Sequence, residues 1–158
     1  MTSAADVARL RSETGAGVME CKRALEETKG DFEKARGLLK ERGLAKAAKK
    51  SDRETREGVV EAYIHSGGRI GALVELASET DFVARNQEFK DLARSIAMQV
   101  AAMEPVDVDE LLKQDYIKEP AKTIGDLVTA LAAATGENVQ VRRIARFELG
   151  KSASDSAR

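Results

Sequence analysis

The amino-acid sequence predicts an α+β fold: a helical bundle, a helical linker and a small three-stranded antiparallel sheet covered by helices on one face. Three observations predict it. Apolar residues recur at helical intervals up to residue 43, strand-like runs begin at residue 58, and an alternating run fills 138–149. Because 42% of the residues are hydrophobic but only 4% are aromatic and none is Trp, the core must be aliphatic and rich in alanine, which favours closely packed helices.

Residues 1–43 are predicted to form three short helices. The first ends at the turn 14–17, where glycines allow a positive φ, and the second ends at Gly30. Asp31 can cap the third helix, which is expected to end before Gly43. The three apolar stripes are Ala5, Val7, Ala8 and Leu10; Val18, Cys21 and Leu25; and Phe32, Ala35, Leu38 and Leu39. Helices this short make a bundle with a thin core.

A charged segment follows, at 44–57, and is predicted to be a linker. It is rich in good helix formers but has no apolar face beyond its alanines, so both a helical and an extended form are open. The core domain is expected to span 58–150, and 151–158 to be a frayed tail.

Two strands joined by a hairpin turn begin the core domain. Their apolar runs, 59–64 and 70–76, flank the turn 66–68, which contains two glycines. A third strand is predicted at 138–149, at an edge or an interface, because its alternation is mixed on both sides. Its odd-numbered residues are expected to share one face: Val139, Val141, Arg143, Ala145, Phe147 and Leu149.

Helices are predicted between the second and third strands. Asn86 can cap one of them, and Gly136 ends another. The acidic segment between Pro105 and Pro120 has room for one or two helical turns. The helical stripes are Phe89, Ala93, Ile96, Val100 and Met103, and then Ile124, Leu127, Val128, Leu131 and Ala132.

Charge and residue counts exclude several classes of function. Lys and Arg number 26 against 27 Asp and Glu, so no overall field attracts nucleic acid or a membrane surface. The single cysteine, Cys21, excludes an internal disulfide and fits a reducing compartment, and one His with one Cys is too few for a His/Cys metal site. No apolar run approaches a bilayer span and the N-terminus lacks a secretory pattern, so the protein is expected in the cytoplasm.

The stretch TGAGVMECK, at 14–22, looks at first like a phosphate-binding loop. A P-loop needs a preceding strand and the pattern GxxxxGK[ST], so a turn between helices is favoured. Val18 keeps step with Cys21 and is expected to face inward. Met19, with Lys22 nearly one turn on, either faces out as a protein-binding side chain or fills a gap in the core.

Three other polar groups are weak candidates for chemistry. His65 lies beside the glycine turn without a Ser/His/Asp or Cys/His set, so a solvated histidine is favoured over a partner contact. Glu75 and Glu79 form a carboxylate pair only in spacing, and surface charge is favoured over catalysis. The basic run 46–50 lacks interleaved aromatics and is expected to be a solvated face rather than a nucleic-acid site.

The corner SETDFVARN, at 78–86, carries Phe82 between a predicted strand and a predicted helix. On the residues alone, burial of Phe82 as a hydrophobic staple at the helix entry is favoured over exposure. Asn86 and Phe89 can already provide the cap and the apolar contact at the start of that helix, so a second apolar contact is redundant. This weakens the preference for a buried Phe82 without reversing it.

Two stretches resemble the signatures of the translation elongation factor Ts family. They are LRSETGAGVMECKRAL at 10–25 and ELASETDFVARN at 75–86. The likeness continues through GLAKAAKK at 43–50, YIHSGGRIGALVE at 63–75 and GENVQVRRIARFELG at 136–150, and is weakest around 104–122. It covers most of the chain in order.

The resemblance implies a guanine nucleotide exchange factor for elongation factor Tu, with no reaction and no cofactor of its own. The bundle would be ubiquitin-associated-like and would dock on the nucleotide-binding domain of elongation factor Tu. Residues implied to contact that partner are Val18, Met19, Lys22, His65, Thr135 and Gly136. Those implied to intrude beside its nucleotide and disturb its Mg²⁺ are Thr80, Asp81, Phe82 and Val83.

Longer family members carry a second core unit and a helical hairpin, whereas this chain ends soon after the run 138–149. A homodimer joined through that strand is therefore predicted, with a weaker monomeric factor as the alternative. Some short relatives have an inter-chain cysteine where this chain has Ala145, so the dimer is expected to be non-covalent. A ubiquitin-associated-type adaptor and an enzyme built on His65, Glu75 and Glu79 are the competing functions.

Overall fold

The structure, a computed structural model, describes residues 2–151. Its helices are α1 (Ala4–Thr14), α2 (Val18–Glu27), α3 (Phe32–Lys50), α4 (Asp81–Arg85), α5 (Gln87–Met103), α6 (Val108–Lys113) and α7 (Ile124–Thr135). Its strands are β1 (Glu57–Ile64), β2 (Ile70–Ser78), β3 (Asp115–Tyr116), β4 (Glu119–Thr123) and β5 (Gln140–Glu148). The predicted α+β class is confirmed, while the predicted tail lies outside the described residues except for Lys151.

The chain divides into two compact units. Unit 1 comprises Met1–Arg53 with Thr129–Asn138, and unit 2 comprises Glu54–Val128 with Val139–Arg158. The second half of α7 thus belongs to unit 1, which the sequence pattern did not indicate. The predicted domain limits stay a prediction.

Unit 1 is built on the three predicted N-terminal helices. Gly30 adopts a φ of 85°, and its N–H donates to the Leu25 carbonyl at 2.8 Å, which ends α2 as expected. The Asp31 side chain accepts from the Lys34 N–H at 3.1 Å and caps α3. The small core consists of Leu10, Ala16, Cys21, Ala24, Leu25, Ala35 and Leu39.

Helix α3 does not end before Gly43, as expected, but continues to Lys50. An interior glycine costs only about 1 kcal/mol, and good helix formers surround it. Side chains of α2 also hold the continuation, because Glu20 bonds Lys46 and Glu27 bonds Arg42. The first part of the predicted linker is therefore helical.

Unit 2 contains a three-stranded antiparallel sheet in the order β1-β2-β5. Helix α5 packs on one face of all three strands, as predicted. The core between them includes Val74, Leu76, Phe89, Ile96 and Val100, all fully buried. Strand β5 lies at an edge, and helix α6 packs against it.

The odd-numbered residues of β5 do not share one face, contrary to the expectation. Val141 pairs with Leu76, but Arg143 pairs with Glu75, so Arg142 is an extra residue in the ladder. Such a bulge reverses the side-chain alternation. Val141 is buried, whereas Arg143 and Phe147 are exposed on the sheet face opposite α5.

The acidic segment contains α6, which fits the expected one or two turns, and also a ribbon of β3 and β4 that was not predicted. Gln99 of α5 is fully buried and anchors this ribbon. Its amide nitrogen donates to the Asp115 carbonyl at 3.1 Å, and its amide oxygen accepts from the Ile117 N–H at 3.1 Å. A ribbon held by a distant amide leaves no local sequence pattern.

None of the helices in residues 2–151 has the length and apolar character needed to cross a bilayer.

Candidate partner-binding site

The corner after β2 forms the single-turn helix α4. The Thr80 hydroxyl accepts from the Val83 N–H at 3.5 Å, and the Asn86 N–H donates to the Val83 carbonyl at 3.0 Å. Asn86 then caps α5, as predicted, by accepting from the Glu88 N–H at 3.0 Å. The turn is thus fixed at its start by the Thr80 side chain and at its end by the backbone N–H of Asn86.

Phe82 lies on the outer side of this turn with 82% of its surface exposed. The preference for burial, drawn from the residues alone, is therefore wrong. Ala84 is the buried residue of α4, and a residue two positions away points about 200° around a helix axis. Phe89, fully buried on α5, occupies the core position that a staple would have taken.

The other residues of the corner surround Phe82 with charge. Asp81 forms an ion pair with Arg85 at 2.9 Å, and Val83 is half-buried. Beneath them Ser78 is fully buried, and its hydroxyl donates to the Thr80 carbonyl at 2.9 Å. An aromatic ring is thus held out to solvent on a turn with little freedom of its own.

In unit 1, Val18 and Met19 both face solvent, with 49% and 57% of their surface exposed. The expectation that Val18 faces inward is wrong, because Val18 is the first residue of α2 and lies beyond the small core. Lys22 lies nearly one turn on and pairs loosely with Glu26 at 3.9 Å. These side chains form an exposed apolar and basic patch at the start of α2.

The end of α7 belongs to the same unit as this patch, although Thr135 and Gly136 are far from it in sequence. Gly15, at a φ of 70°, allows the close approach, since an added Cβ would lie 3.2 Å from the Ala130 Cβ. The Thr135 hydroxyl donates to the Leu131 carbonyl at 2.9 Å, and Gly136 ends the helix at a φ of 73°. Five of the predicted contact residues thus share one unit.

His65 lies at the opposite end of the β1–β2 hairpin from the corner. Its N–H donates to the Ile70 carbonyl at 2.9 Å, and its imidazole is exposed. Strand β2 separates it from Thr80 by about 25 Å at 3.3 Å per residue. The imidazole Nδ1 lies 3.1 Å from the Tyr63 hydroxyl.

The three groups of the competing enzyme hypothesis are not brought together. Glu75 pairs with Arg143 at 2.6 Å in the middle of the sheet. Five strand residues separate it from Ile70, the partner of His65, which amounts to about 17 Å. Among the described residues, no three His, Cys, Asp or Glu side chains are grouped to hold a metal ion.

Comparison with known proteins supplies the family. The model of the family described as elongation factor TS matches residues 79–156, which include all of the corner except Ser78. Elongation factor Ts of Carboxydothermus hydrogenoformans is 46% identical, over 92% of this chain and 88% of the relative. The protein of that name from Heliobacterium modesticaldum is 43% identical, over 96% and 91%. The one from Caldanaerobacter subterraneus subsp. tengcongensis is 42% identical, over 96% and 98%.

The chain belongs to the elongation factor Ts family. Membership places it among the translation elongation factors, and the resemblance noted in the sequence is confirmed. The match to the Carboxydothermus protein extends over 190 aligned positions, more than the 158 residues of this chain. That member of the elongation factor Ts family therefore has residues, within the matched span, that this chain lacks.

Three residues of the site were missed in the sequence. Ser78 ends an apolar run, and nothing local indicates that its hydroxyl is buried under the corner. Arg85 stands four residues after Asp81, a spacing that signals an ion pair on a helix. Tyr63 precedes His65 by two residues, and this spacing places two strand side chains on one face.

Proposed function

We propose that the chain is a guanine nucleotide exchange factor that binds the GDP complex of elongation factor Tu and promotes GDP release. The observation that carries the proposal is the exposed ring of Phe82, held on a turn that is capped at both ends. A ring exposed to this extent adds little to the core of its own chain, so most of its apolar surface is still available for burial against a partner. In this proposal Thr80, Asp81, Phe82 and Val83 enter beside the nucleotide of elongation factor Tu and disturb its Mg²⁺.

The energetics require more than the ring. To move a partner between two states from 1:99 to 99:1 takes about 5.5 kcal/mol of differential binding. Burial of a Phe contributes roughly 1.5–3 kcal/mol. The remainder must come from docking surfaces, and since coupling is reciprocal, bound nucleotide must weaken the factor's own binding.

The docking contacts in this proposal lie in both units. Val18, Met19 and Lys22 provide an exposed apolar and basic patch, and Thr135 and Gly136 lie in the same unit. His65 provides a contact at the far end of the hairpin from Phe82. We place this activity in the cytoplasm, as a binding event with no chemical step catalysed by the chain itself.

We also propose that the chain acts as a homodimer whose interface is the outer face of the sheet and includes β5. The sheet face opposite α5 carries an apolar group that no helix or strand of unit 2 covers within the described residues, formed by Val60, Ile64, Leu73, Ala145 and Phe147. Paired strands place Ala62, Leu73 and Ala145 in one row at its centre. A second copy is the favoured occupant because a two-fold axis matches an apolar face with itself.

The dimer would also explain how Phe82 and His65, which are far apart within one chain, could contact the same partner molecule. Phe82 and His65 lie at opposite ends of the hairpin, about 25 Å apart at 3.3 Å per strand residue. Two copies related by a two-fold axis present the corner of one chain and the histidine of the other. Each elongation factor Tu molecule then contacts both protomers.

The exchange proposal is tested by the rate of GDP release from elongation factor Tu. Phe82→Ala is expected to reduce stimulated release at least tenfold, since a wedge worth about 1.5–3 kcal/mol is lost. Val106→Ala removes an exposed apolar side chain of unit 2 outside the site and is the matched control. Equal release by Phe82→Ala and the unchanged chain would refute the wedge. Binding without any change in release would favour the adaptor hypothesis.

The dimer proposal is tested by mass in solution. Leu73→Glu places a charge at the centre of the apolar sheet face and is expected to give monomers, whereas Val106→Glu leaves the mass unchanged. If the unchanged chain is monomeric at tens of micromolar, the dimer proposal is wrong, whatever the outcome for exchange.

A further inference from the structure

Tyr63 and His65 form a side-chain pair whose role the proposed contact does not explain. The Tyr63 hydroxyl lies 3.1 Å from the His65 Nδ1, and the ring centroids are 6.1 Å apart. Because they are two positions apart in extended chain, the two side chains lie on the same face. Tyr63 is half-buried within β1, whereas His65 is exposed beyond its end.

The backbone at His65 is already fixed before the side chains meet. The His65 N–H donates to the Ile70 carbonyl at 2.9 Å, and its carbonyl accepts from the Gly68 N–H at 2.9 Å. The position of the ring then depends on its own side-chain torsions, and the Tyr63 hydroxyl lies within hydrogen-bond distance of one of its nitrogens. An exposed imidazole with a fixed backbone and one fixed ring nitrogen has a defined direction for the other nitrogen.

We propose that Tyr63 is a positioning residue that holds His65 as its Nε2–H tautomer, with that N–H directed at an acceptor oxygen on the partner. A neutral imidazole carries one proton, and a Tyr hydroxyl can donate or accept. In the proposed arrangement the Tyr63 hydroxyl donates to Nδ1, which leaves the proton on Nε2. The acceptor class is then a backbone carbonyl or a carboxylate of the partner. This inference rests on the proposed function for the contact itself, but the tautomer is a property of the free chain.

The first experiment uses the free chain. His65 is the only histidine, so the long-range ¹H–¹⁵N spectrum of its imidazole is unambiguous. At about pH 8.5, where an ordinary imidazole is neutral, the Nε2–H pattern is expected, and Tyr63→Phe should shift it toward a mixture of tautomers. Tyr116→Phe removes the same atom from the other tyrosine and should leave the spectrum unchanged. An Nδ1–H pattern, or a spectrum unaffected by Tyr63→Phe, overturns the inference.

The second experiment measures affinity for the GDP complex of elongation factor Tu. Tyr63→Phe is expected to weaken binding about threefold to tenfold, the range of one hydrogen bond. In a chain that already carries His65→Ala, Tyr63→Phe should have no further effect. If His65→Ala weakens binding but Tyr63→Phe does not, the positioning role is wrong. If His65→Ala has no effect, the proposed contact fails although the tautomer result still stands.

Discussion

The two units differ in how their cores are made. The buried cluster of α1–α3 in unit 1 has three alanines and a cysteine among its seven residues, and the aromatic packed against it, Phe32, is only partly buried. Unit 2 buries larger side chains completely, including Phe89, Leu76 and Ile96. Fewer apolar atoms are therefore removed from water per residue in unit 1.

This difference shows how each unit holds its exposed site residues. In unit 2 a well-filled sheet and helix fix the two ends of the corner, so Phe82 is positioned by a deep core beneath it. In unit 1 the patch of Val18 and Met19 begins α2 beside a core of smaller side chains, and the exposed ion pair of Glu20 with Lys46 joins α2 to α3. Substitutions that remove either a core side chain or the Glu20–Lys46 ion pair can test this contrast.

The largest effect is expected at Gly58, the second residue of β1. Its φ is 146°, and an added Cβ would lie 2.1 Å from the Leu76 carbonyl oxygen. Neither atom is free to move, because both belong to paired strands. Gly58→Ala should therefore lower the free energy of unfolding by about 3–5 kcal/mol, as measured by urea denaturation.

Gly30→Ala is the matched control for this change. Gly30 also has a positive φ, of 85°, but an added Cβ would meet no atom within 4 Å. Its cost should be about 1 kcal/mol, from the backbone conformation alone. Equal losses from the two substitutions would show that the positive φ accounts for both, and that the contact with β2 adds nothing at Gly58.

Core truncation compares the units directly. Phe89→Ala in unit 2 should cost about 3–5 kcal/mol, and Leu25→Ala in unit 1 about 2–3 kcal/mol, because a shallow core collapses more readily around a cavity. Amide hydrogen exchange should show the loss for Leu25→Ala in α1–α3 and the loss for Phe89→Ala in the sheet. If Leu25→Ala costs as much as Phe89→Ala, the two cores are equally packed and the contrast fails.

Most of the fold could be predicted because its signals are local. Periodicity indicated the helices and strands, and the caps at Asp31 and Asn86 follow from short polar side chains at helix starts. Three features depend on distant groups and left no such signal. They are the bulge at Arg142, the ribbon held by Gln99, and the assignment of the end of α7 to unit 1.

The candidate site divides in the same way. The residue pattern alone favoured a buried Phe82 and an inward Val18, because spacing does not indicate how far a core extends. The resemblance to a family, carried by the motif around 78–86, implied the exposed ring instead. Periodicity describes which residues share a face, whereas exposure depends on what lies opposite that face.

Hydroxyl removal gives a smaller test of the contrast. Ser78 and Ser12 both donate to a backbone carbonyl at 2.9 Å, but Ser78 is buried under the corner and Ser12 is exposed on α1. Ser78→Ala should cost about 1 kcal/mol, since the hydrogen bond of a buried hydroxyl is lost, while Ser12→Ala, on the surface, should cost almost nothing. If the turn orients Phe82, Ser78→Ala should also slow stimulated GDP release. An unchanged rate would show that the Ser78 hydroxyl is not needed to position Phe82.

The smallest effect on stability is expected from loss of the Glu20–Lys46 ion pair of unit 1, and this effect depends on pH. The hydrogen bond from Lys46 lowers the pKa of Glu20 below its ordinary value of about 4.5. A lowered carboxyl pKa stabilises the fold above the ordinary value, and that contribution is lost as the pH falls through the folded value. Glu20 also accepts from the Gly17 N–H at 3.2 Å, at the start of α2, and Glu20→Gln keeps an oxygen for this bond. The substitution should cost roughly 0.5 kcal/mol at neutral pH, because the pair is well solvated. Urea denaturation should show this difference shrinking below about pH 4.5 and reduced in Lys46→Met, since Lys46 has the largest effect of the groups that lower this pKa. A difference that persists in acid would assign it to packing rather than charge.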